Sequence, residues 1–548
     1  MRQSFFRKWL PLVVMGLAII IIVLDTTLLN VSLGTIVRDL RTDIKSLQWV
    51  ISAYALTLAA FTITGGRFGD LFGRKKMFML GAVIFAVGSF LASISHGVGM
   101  LIIGESIIEG IGAALMMPAT ASLLVSTYRG RDRALALGVW GGMAAAGSAL
   151  GPVVGGYLTS NYSWRWGFRI NIFVVALLLA GSVFIKESRD LEEKPTLDWV
   201  GVLLSASGLT AVVFAVIESA NYGWWQAKSI FTIGSQSFSL GGLSIVPVAL
   251  MMGVVLLAGF FIWEQRVVRQ GKTPLVSMKL FANKQFTAGA SLTAIMSIGQ
   301  VGLIFGLPVF LQGVLGLDAL HTGYALLPVS IGLFIMAPLG GYFAKHFKPK
   351  RIVQTGLLIN VLALLLLRQV LSLSADSSTF IAPLLIYGAG MGLGFSQLTN
   401  ITLSAVSVNE SGEASGVNNT LRQVGSSFGT AIIGAIIIAS VANGLSNGVA
   451  NSTVIPAEHR TQIAQAAKAQ SSNIEFGVPL SGQQLSTAEA RELKRISNNS
   501  TVKASKEAFL ITAAFTSLAL LVTSQLPNVK LGDLEKNESL AAKPVTAH

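Results

Sequence analysis

Three carboxylic acids stand where such groups are rare. Asp25 follows Val23-Leu24 and precedes Leu28-Leu29 in one apolar run. Glu105 and Glu109 lie four apart in another, so they share one face of a helix. A carboxyl group in an apolar medium tends to hold a proton, because the medium penalises its charged form and nearby like charges add to the penalty. Such a group can take a proton from one side of a membrane and release it to the other. A cationic solute that competes for the same carboxylate is then exchanged for the proton, with no covalent bond made or broken. A packing role is also open to each: Asp25 can bond Thr26, Thr27 or Asn30, and Glu105 can reach the headgroups from near its helix end.

The medium follows from composition. The chain has 548 residues, of which 52% are hydrophobic and only 12% charged, too few charges to cover the surfaces of soluble domains of this total size. It has no Cys, which excludes disulfide frameworks, thiol catalysis and Cys-ligated metals. Five scattered His form no metal-binding spacing. No Ser/His/Asp set and no GxxxxGK[ST] phosphate loop occurs, which argues against an enzyme and against ATP as the energy source. No cofactor is expected, only a proton gradient.

Fourteen runs are long enough to cross a bilayer as helices, near 9–31, 48–66, 77–96, 98–126, 134–158, 166–185, 199–218, 241–263, 286–314, 322–344, 351–373, 379–405, 420–442 and 507–526. The fold class is therefore an all-α polytopic membrane protein. Arg2, Arg7 and Lys8 precede the first run, which lacks a small-residue cleavage site and reads as a retained helix. With both termini in the cytoplasm, the inner segments hold 26 Lys and Arg and the outer segments 14, of which 7 fall in one long loop, 443–506. Long loops are largely exempt from the positive-inside rule. The net charge of +14 is thus a topology signal, and no nucleic-acid partner is expected. The 443–506 loop is rich in Asn, Ser, Gln and Ala, with a short amphipathic helix expected near 458–470.

An internal repeat locates the domains. Gly66-Arg67-Phe68-Gly69-Asp70-Leu71-Phe72-Gly73-Arg74-Lys75-Lys76 follows helix 2, and Gly341–Arg351 follows helix 10, aligned without gaps at an offset of 275 residues. The offset is eight helices, where parallel six-helix halves would give six. Helices 7 and 8 thus read as an insertion. The expected divisions are 1–195 (helices 1–6), 196–270 (helices 7–8), 271–530 (helices 9–14 with the 443–506 loop) and a cytoplasmic tail, 531–548. In the first copy the glycines permit a tight turn and close approach. Asp70 can pair with Arg74 or cap a neighbouring helix, as a latch that holds one state of a rocking protein. A plain positive-inside loop is the competing reading.

That first copy resembles the loop 2–3 signature of the major facilitator superfamily. In helix 5, Gly138, Gly147, Gly151-Pro152 and Gly155-Gly156 fit the antiporter motif of the superfamily's drug-export branches. Leu24-Asp25-Thr26-Thr27 with Asn30, Trp164-Arg165-Trp166 with Asn171, Leu197-Asp198-Trp199-Val200-Gly201, Pro274-Leu275 with Leu280-Phe281, and Ala414–Gln423 are similar to the fourteen-helix drug:proton antiporters. The chain departs from that pattern at Ser106 and Glu109, where the family's helix 4 carries Arg and Gln, and at Lys345, where the second loop copy lacks the acid.

The resemblance implies an exporter of lipophilic, often cationic, drugs by alternating access across a bacterial cell membrane. It would act as a monomer amid lipid, with antibiotic resistance as a consequence. Helices 1 and 4 would line one cavity, so that Asp25, Glu105 and Glu109 form one proton-coupling cluster. Gly66, Asp70, Gly73 and Arg74 would form the latch, and Gly138, Gly147, Gly151, Pro152, Gly155 and Gly156 a tight seam between rocking halves. Asn30, Arg422 and Glu218 are secondary candidates. Arg422 reads as a snorkelling residue at the start of helix 13, and Glu218 and Glu264 as interfacial. An exporter of one native metabolite or lipid, and a membrane sensor that transports nothing, are the alternatives.

Overall fold

The computed structural model describes residues 5–42, 44–188, 197–233, 236–238, 240–344, 346–407, 409–457, 459–460 and 486–528. Among them are fourteen long helices. The first seven are α1 Phe5–Asp39, α2 Ile44–Phe72, α3 Arg74–Ser93, α4 Val98–Thr127, α5 Gly130–Asn161, α6 Arg165–Gly181 and α7 Trp199–Tyr222. The second seven are α8 Ile245–Arg269, α9 Lys284–Gly313, α10 Ala319–Phe343, α11 Pro349–Val370, α12 Ile381–Leu403, α13 Ser411–Ala450 and α14 Thr487–Val522. Thirteen of these regions are long and apolar enough to cross a membrane. The remaining one, α5, is 32 residues long, and its described part includes the apolar stretch Leu135–Ala144. It lies along α1 and α10, with small residues at those contacts.

Helices α7 and α8 pair with each other, and α7 packs on α2 and α13. A small antiparallel hairpin, β1 Phe231–Ile233 with β2 Gln236–Phe238, joins them. Glu218 and Glu264 stand near the ends of α7 and α8 and are buried within the protein, 2% and 0% exposed. Ser52 Oγ (3.4 Å) and Asn221 Nδ2 (2.9 Å) donate to Glu218. Glu264 accepts from the Val276 amide at 3.4 Å.

The long 443–506 loop is the main correction. Helix α13 runs 40 residues to Ala450, and α14 begins at Thr487. The expectation failed at Asn443, Gly444, Asn447 and Gly448, which are poor helix formers. Packing overrides them. Ile433, Ile437, Val441, Leu445 and Val449 recur every fourth residue and bury against Ile496, Ala504 and Ala508 of α14. A capping box opens α14: Ser486 Oγ accepts from Glu489 N at 3.3 Å, and Glu489 Oε2 accepts from Ser486 N at 2.7 Å. At ~1.5 Å per residue α13 is ~60 Å long, about twice the hydrocarbon thickness. The expected helix near 458–470 and the tail 531–548 fall outside the described residues, save 459–460.

Beyond the first span, the carboxylate of Asp39 accepts from Trp164 Nε1 at 2.9 Å and from Arg165. These two donors, Trp164 above all, hold it below the usual Asp range. Arg165 also bonds the Ser95 carbonyl at 2.9 Å, which fastens this end of α1, α3 and α6 together.

Candidate functional site

The acids do meet. Asn171, on α6, donates its amide Nδ2 to Asp25 Oδ1 at 3.0 Å and to Glu109 Oε1 at 3.1 Å. The same nitrogen lies 3.2 Å from Ser89 Oγ, and Ser89 in turn donates to Glu109 Oε1 at 2.6 Å. One amide thus holds two acids from two helices. Glu105 accepts from Ser106 Oγ at 2.7 Å and lies within electrostatic reach of Asp25. Asp25 and Glu105 are 1% exposed, Glu109 and Asn171 0%. Asp25 Oδ2, Glu109 Oε2, Asn171 Oδ1 and the hydroxyl of the neighbouring Tyr54 have no hydrogen-bond partner among the described residues.

Local structure places these groups. Ile102–Glu109 is a π-helical stretch inside α4, a wider turn often found at functional sites. It lies backbone to backbone against α3. A Cβ on Gly88 would stand 2.4 Å from Glu109 N, and one on Gly104 would stand 2.7 Å from Ala92 N. Ser89 is thereby brought to Glu109. Sequence reasoning missed Ser89, and it noted Asn171 only as part of a resemblance. Both partners lie far along the chain from the acids, so spacing gave no signal.

The second constellation sits at the α2–α3 turn, where Gly73 has φ +110°. Arg74 Nε and Nη2 donate to Asp70 Oδ1 at 2.9 and 2.6 Å. Asp70 also caps α13, accepting from Gly412 N at 3.1 Å and Glu413 N at 2.7 Å. Arg74 reaches the Asn409 carbonyl at 2.9 Å, and Arg67 lies 3.8 Å from Glu413. The carboxylate therefore fills the orphan amides at a helix start, with a guanidinium behind it. Glycine lets the helices touch: a Cβ on Gly66 would stand 2.4 Å from the Gly412 carbonyl. Asp70→Asn should weaken both bonds to the cap. The native chain has no Cys, so a Thr62→Cys label on this seam reads it cleanly. A membrane-impermeant maleimide should label Thr62→Cys roughly tenfold faster in the Asp70→Asn background, as one charged hydrogen bond predicts. Equal labelling would remove the latch.

The helix 5 glycines divide between two partners. Gly147, Gly151 and Gly155 face α1, with added Cβ atoms 2.9 Å from Ile20 O, 1.7 Å from Thr27 Oγ1 and 2.9 Å from Leu28 Cγ. Gly138 instead meets α10, at 2.7 Å from Ala337 O, as does Gly156, at 3.6 Å from Leu320. The ridge of three glycines is thus a seam with the helix that carries Asp25, and Gly138 and Gly156 make the approach to the later helices. The side chains of Asn30 and Pro152 lie outside the described residues.

A cavity of about 200 Å³ lies among α1, α4, α5, α9, α10, α12 and α13. Val23, Trp140, Gln300, Phe395 and Arg422 are among its walls. Arg422 is not an end residue: α13 starts eleven positions earlier, and its guanidinium donates to Met117 Sδ at 3.4 Å. The three acids are not in the wall, although Val23 is, two residues before Asp25.

A multi-pass membrane protein with an internal cavity and a sealed acid cluster beside it has the anatomy of a solute carrier. A sequence profile of the Major Facilitator Superfamily matches residues 15–430, and the chain belongs to that family. It is similar to a multidrug efflux pump of Mycolicibacterium smegmatis, 30% identical over 435 residues that cover 78% of this chain and 81% of that protein. It is also similar to the tetracenomycin C resistance and export protein of Streptomyces glaucescens, 28% identical over 434 residues, covering 79% and 76%. The solved proton:xylose symporter of the superfamily superposes with a TM-score of 0.59 at 13% identity, covering 98% of this chain and all of that one, which speaks for the fold alone.

Proposed function

We propose that this chain is a proton-coupled antiporter, not an enzyme, which exports lipophilic toxic compounds across the cell membrane by alternating access. The observation that carries the reading is the amide of Asn171 shared by Asp25 and Glu109, two carboxyl groups sealed in the membrane interior. Each bound proton there cancels a charge that the surroundings penalise. The cluster is a proton store with Asp25, Glu105 and Glu109 as its members. Its link to cargo is α1, which bears Asp25, contributes Val23 to the cavity wall and rides on the Gly147–Gly151–Gly155 seam. Loss or gain of a proton changes the net charge that α1 carries, and so the packing it prefers against α5 and α6.

In this reading the halves 1–195 and 271–530 rock, with the 196–270 helices inserted between them. The Asp70–Arg74 latch closes the cytoplasmic end, where both termini lie. A drug-sized ligand needs a pocket of roughly 300–1,000 Å³. The cavity of about 200 Å³ therefore belongs to a contracted stage of the cycle. The efflux and resistance roles carried in the two relatives' names support the cargo class. The carrier works as a monomer, without a cofactor and without nucleic acid.

Proteoliposomes test the reading. An imposed pH gradient should drive movement of the carried dye, fluorescein or rhodamine 123, and nigericin should stop it. Omission of ATP should leave it unchanged. Movement that needs ATP and ignores the gradient would overturn the proposal.

A further inference from the structure

The central cavity is charged on one side only. Among its described wall residues there is a single ionisable side chain, Arg422. Among the described residues no carboxylate lies within 4.0 Å of its guanidinium nitrogens, and its one hydrogen bond goes to a thioether, a weak acceptor. The neutral groups beside it, such as Asn418, Asn419 and Gln300, bond acceptors and donors alike, so they set no sign. The acids that would suit a cation are elsewhere: they lie off the wall and engage Asn171, Ser89 and Ser106.

A guanidinium in a membrane interior is expensive to leave without a counter-charge. Where the described residues supply none, the place for one is the cavity. Arg presents a planar fork of donors that matches a carboxylate or another oxyanion. The indole ring of Trp140 and the phenyl ring of Phe395 stand in the same wall, and they suit a flat apolar body.

We propose that the cavity takes planar, aromatic anions, with Arg422 as the counter-charge that selects them over cations of the same shape. The proposal rests on the exporter reading and divides its labour: α13 reads the cargo's charge and α1 with α4 handles the proton. Fluorescein and rhodamine 123 share one tricyclic scaffold and differ in charge, so they make a matched pair. Their affinities for the purified full-length chain are measured by dye anisotropy and by quenching of tryptophan fluorescence. Fluorescein should bind at least tenfold tighter than rhodamine 123. Arg422→Met should weaken fluorescein roughly 10- to 100-fold, the range for a lost hydrogen bond to a charged group. Arg422→Lys, which keeps the charge but not the fork, should retain the order of the two dyes.

Equal or tighter binding of rhodamine 123, or no binding of fluorescein up to about 1 mM, would overturn the proposal. So would an Arg422→Met variant that is folded by its unchanged melting curve and binds fluorescein like the parent. The two readings fail separately. Fluorescein that binds with this preference yet is not moved by a pH gradient strikes the exporter reading and leaves the charge selection standing. Gradient-driven movement that favours rhodamine 123 strikes the charge selection alone.

Discussion

Asp25→Asn should abolish gradient-driven transport, by at least about 100-fold, while the protein still folds and reaches the membrane. The change is nearly isosteric and removes the charge. The new side chain still offers an oxygen to Asn171 Nδ2, now 3.0 Å from Asp25 Oδ1, so the packing of α1 against α6 is kept. What is lost is the ability to carry a proton. Without it the cluster keeps one charge state at this position, and α1 has no reason to change partners in response to the gradient. Counterflow, in which labelled dye exchanges for unlabelled dye with no gradient, should survive, because the cavity wall does not include Asp25. The check is a pair of measurements on one proteoliposome preparation. Undiminished gradient-driven movement in the variant would take Asp25 out of the mechanism. Loss of counterflow as well would mean that Asp25 shapes the cavity.

The second large effect is steric. At Gly151 an added Cβ would stand 1.7 Å from Thr27 Oγ1 and 2.7 Å from Thr27 Cβ. Rotation of Thr27 clears the oxygen and leaves the carbon, whose place is set by the backbone of α1. One methyl group must therefore push two helices apart, and overpacking of this kind costs about 1–3 kcal/mol. Gly151→Ala should lower the melting temperature and cut transport at least tenfold. Gly151→Leu should do both more severely. Gly259→Ala is the control, because its nearest atom, Leu204 Cδ2, is 4.0 Å away. Normal turnover in Gly151→Ala would show that α1 and α5 need no close contact during the cycle.

Much of this anatomy could be read from the chain, and the failures have identifiable causes. The helices were legible because a bilayer forces one solution on an apolar run. The asymmetry of the repeat, eight helices where six would be expected, set α7 and α8 apart, and the two helices pack on each other. The ends of α13 and α14 were misjudged because the decisive contact is between residues 433–449 and residues 493–508, which only folding brings together. The Ser486–Glu489 capping box was visible in the sequence and would have moved the start of α14 by some twenty residues. Misplacing the start of α13 then made Arg422 look like an end residue, when it is an interior cation. The acids were identified by their medium, but not the residues that join them. Ser89 and Asn171 are ordinary polar residues, and what makes them matter is the glycine contact of α3 with α4 and the crossing of α6 over α1. The π-helical turn left no mark in the sequence.

The unbroken length of α13 turns the carboxylate of Asp70 into the fulcrum of a long arm. It grips the helix at Gly412 and Glu413, the first turn of a rod ~60 Å long. A pivot of ~10° at that grip carries the far tip sideways by ~10 Å over such a length. Helix α14, zipped to the distal portion by the isoleucine and valine ladder, would swing with it. The opposite face of the membrane thereby carries a pointer whose bearing tells whether the grip is closed. Spectroscopic probes fixed near residues 445 and 496 could follow each turn of the carrier without touching its cargo path.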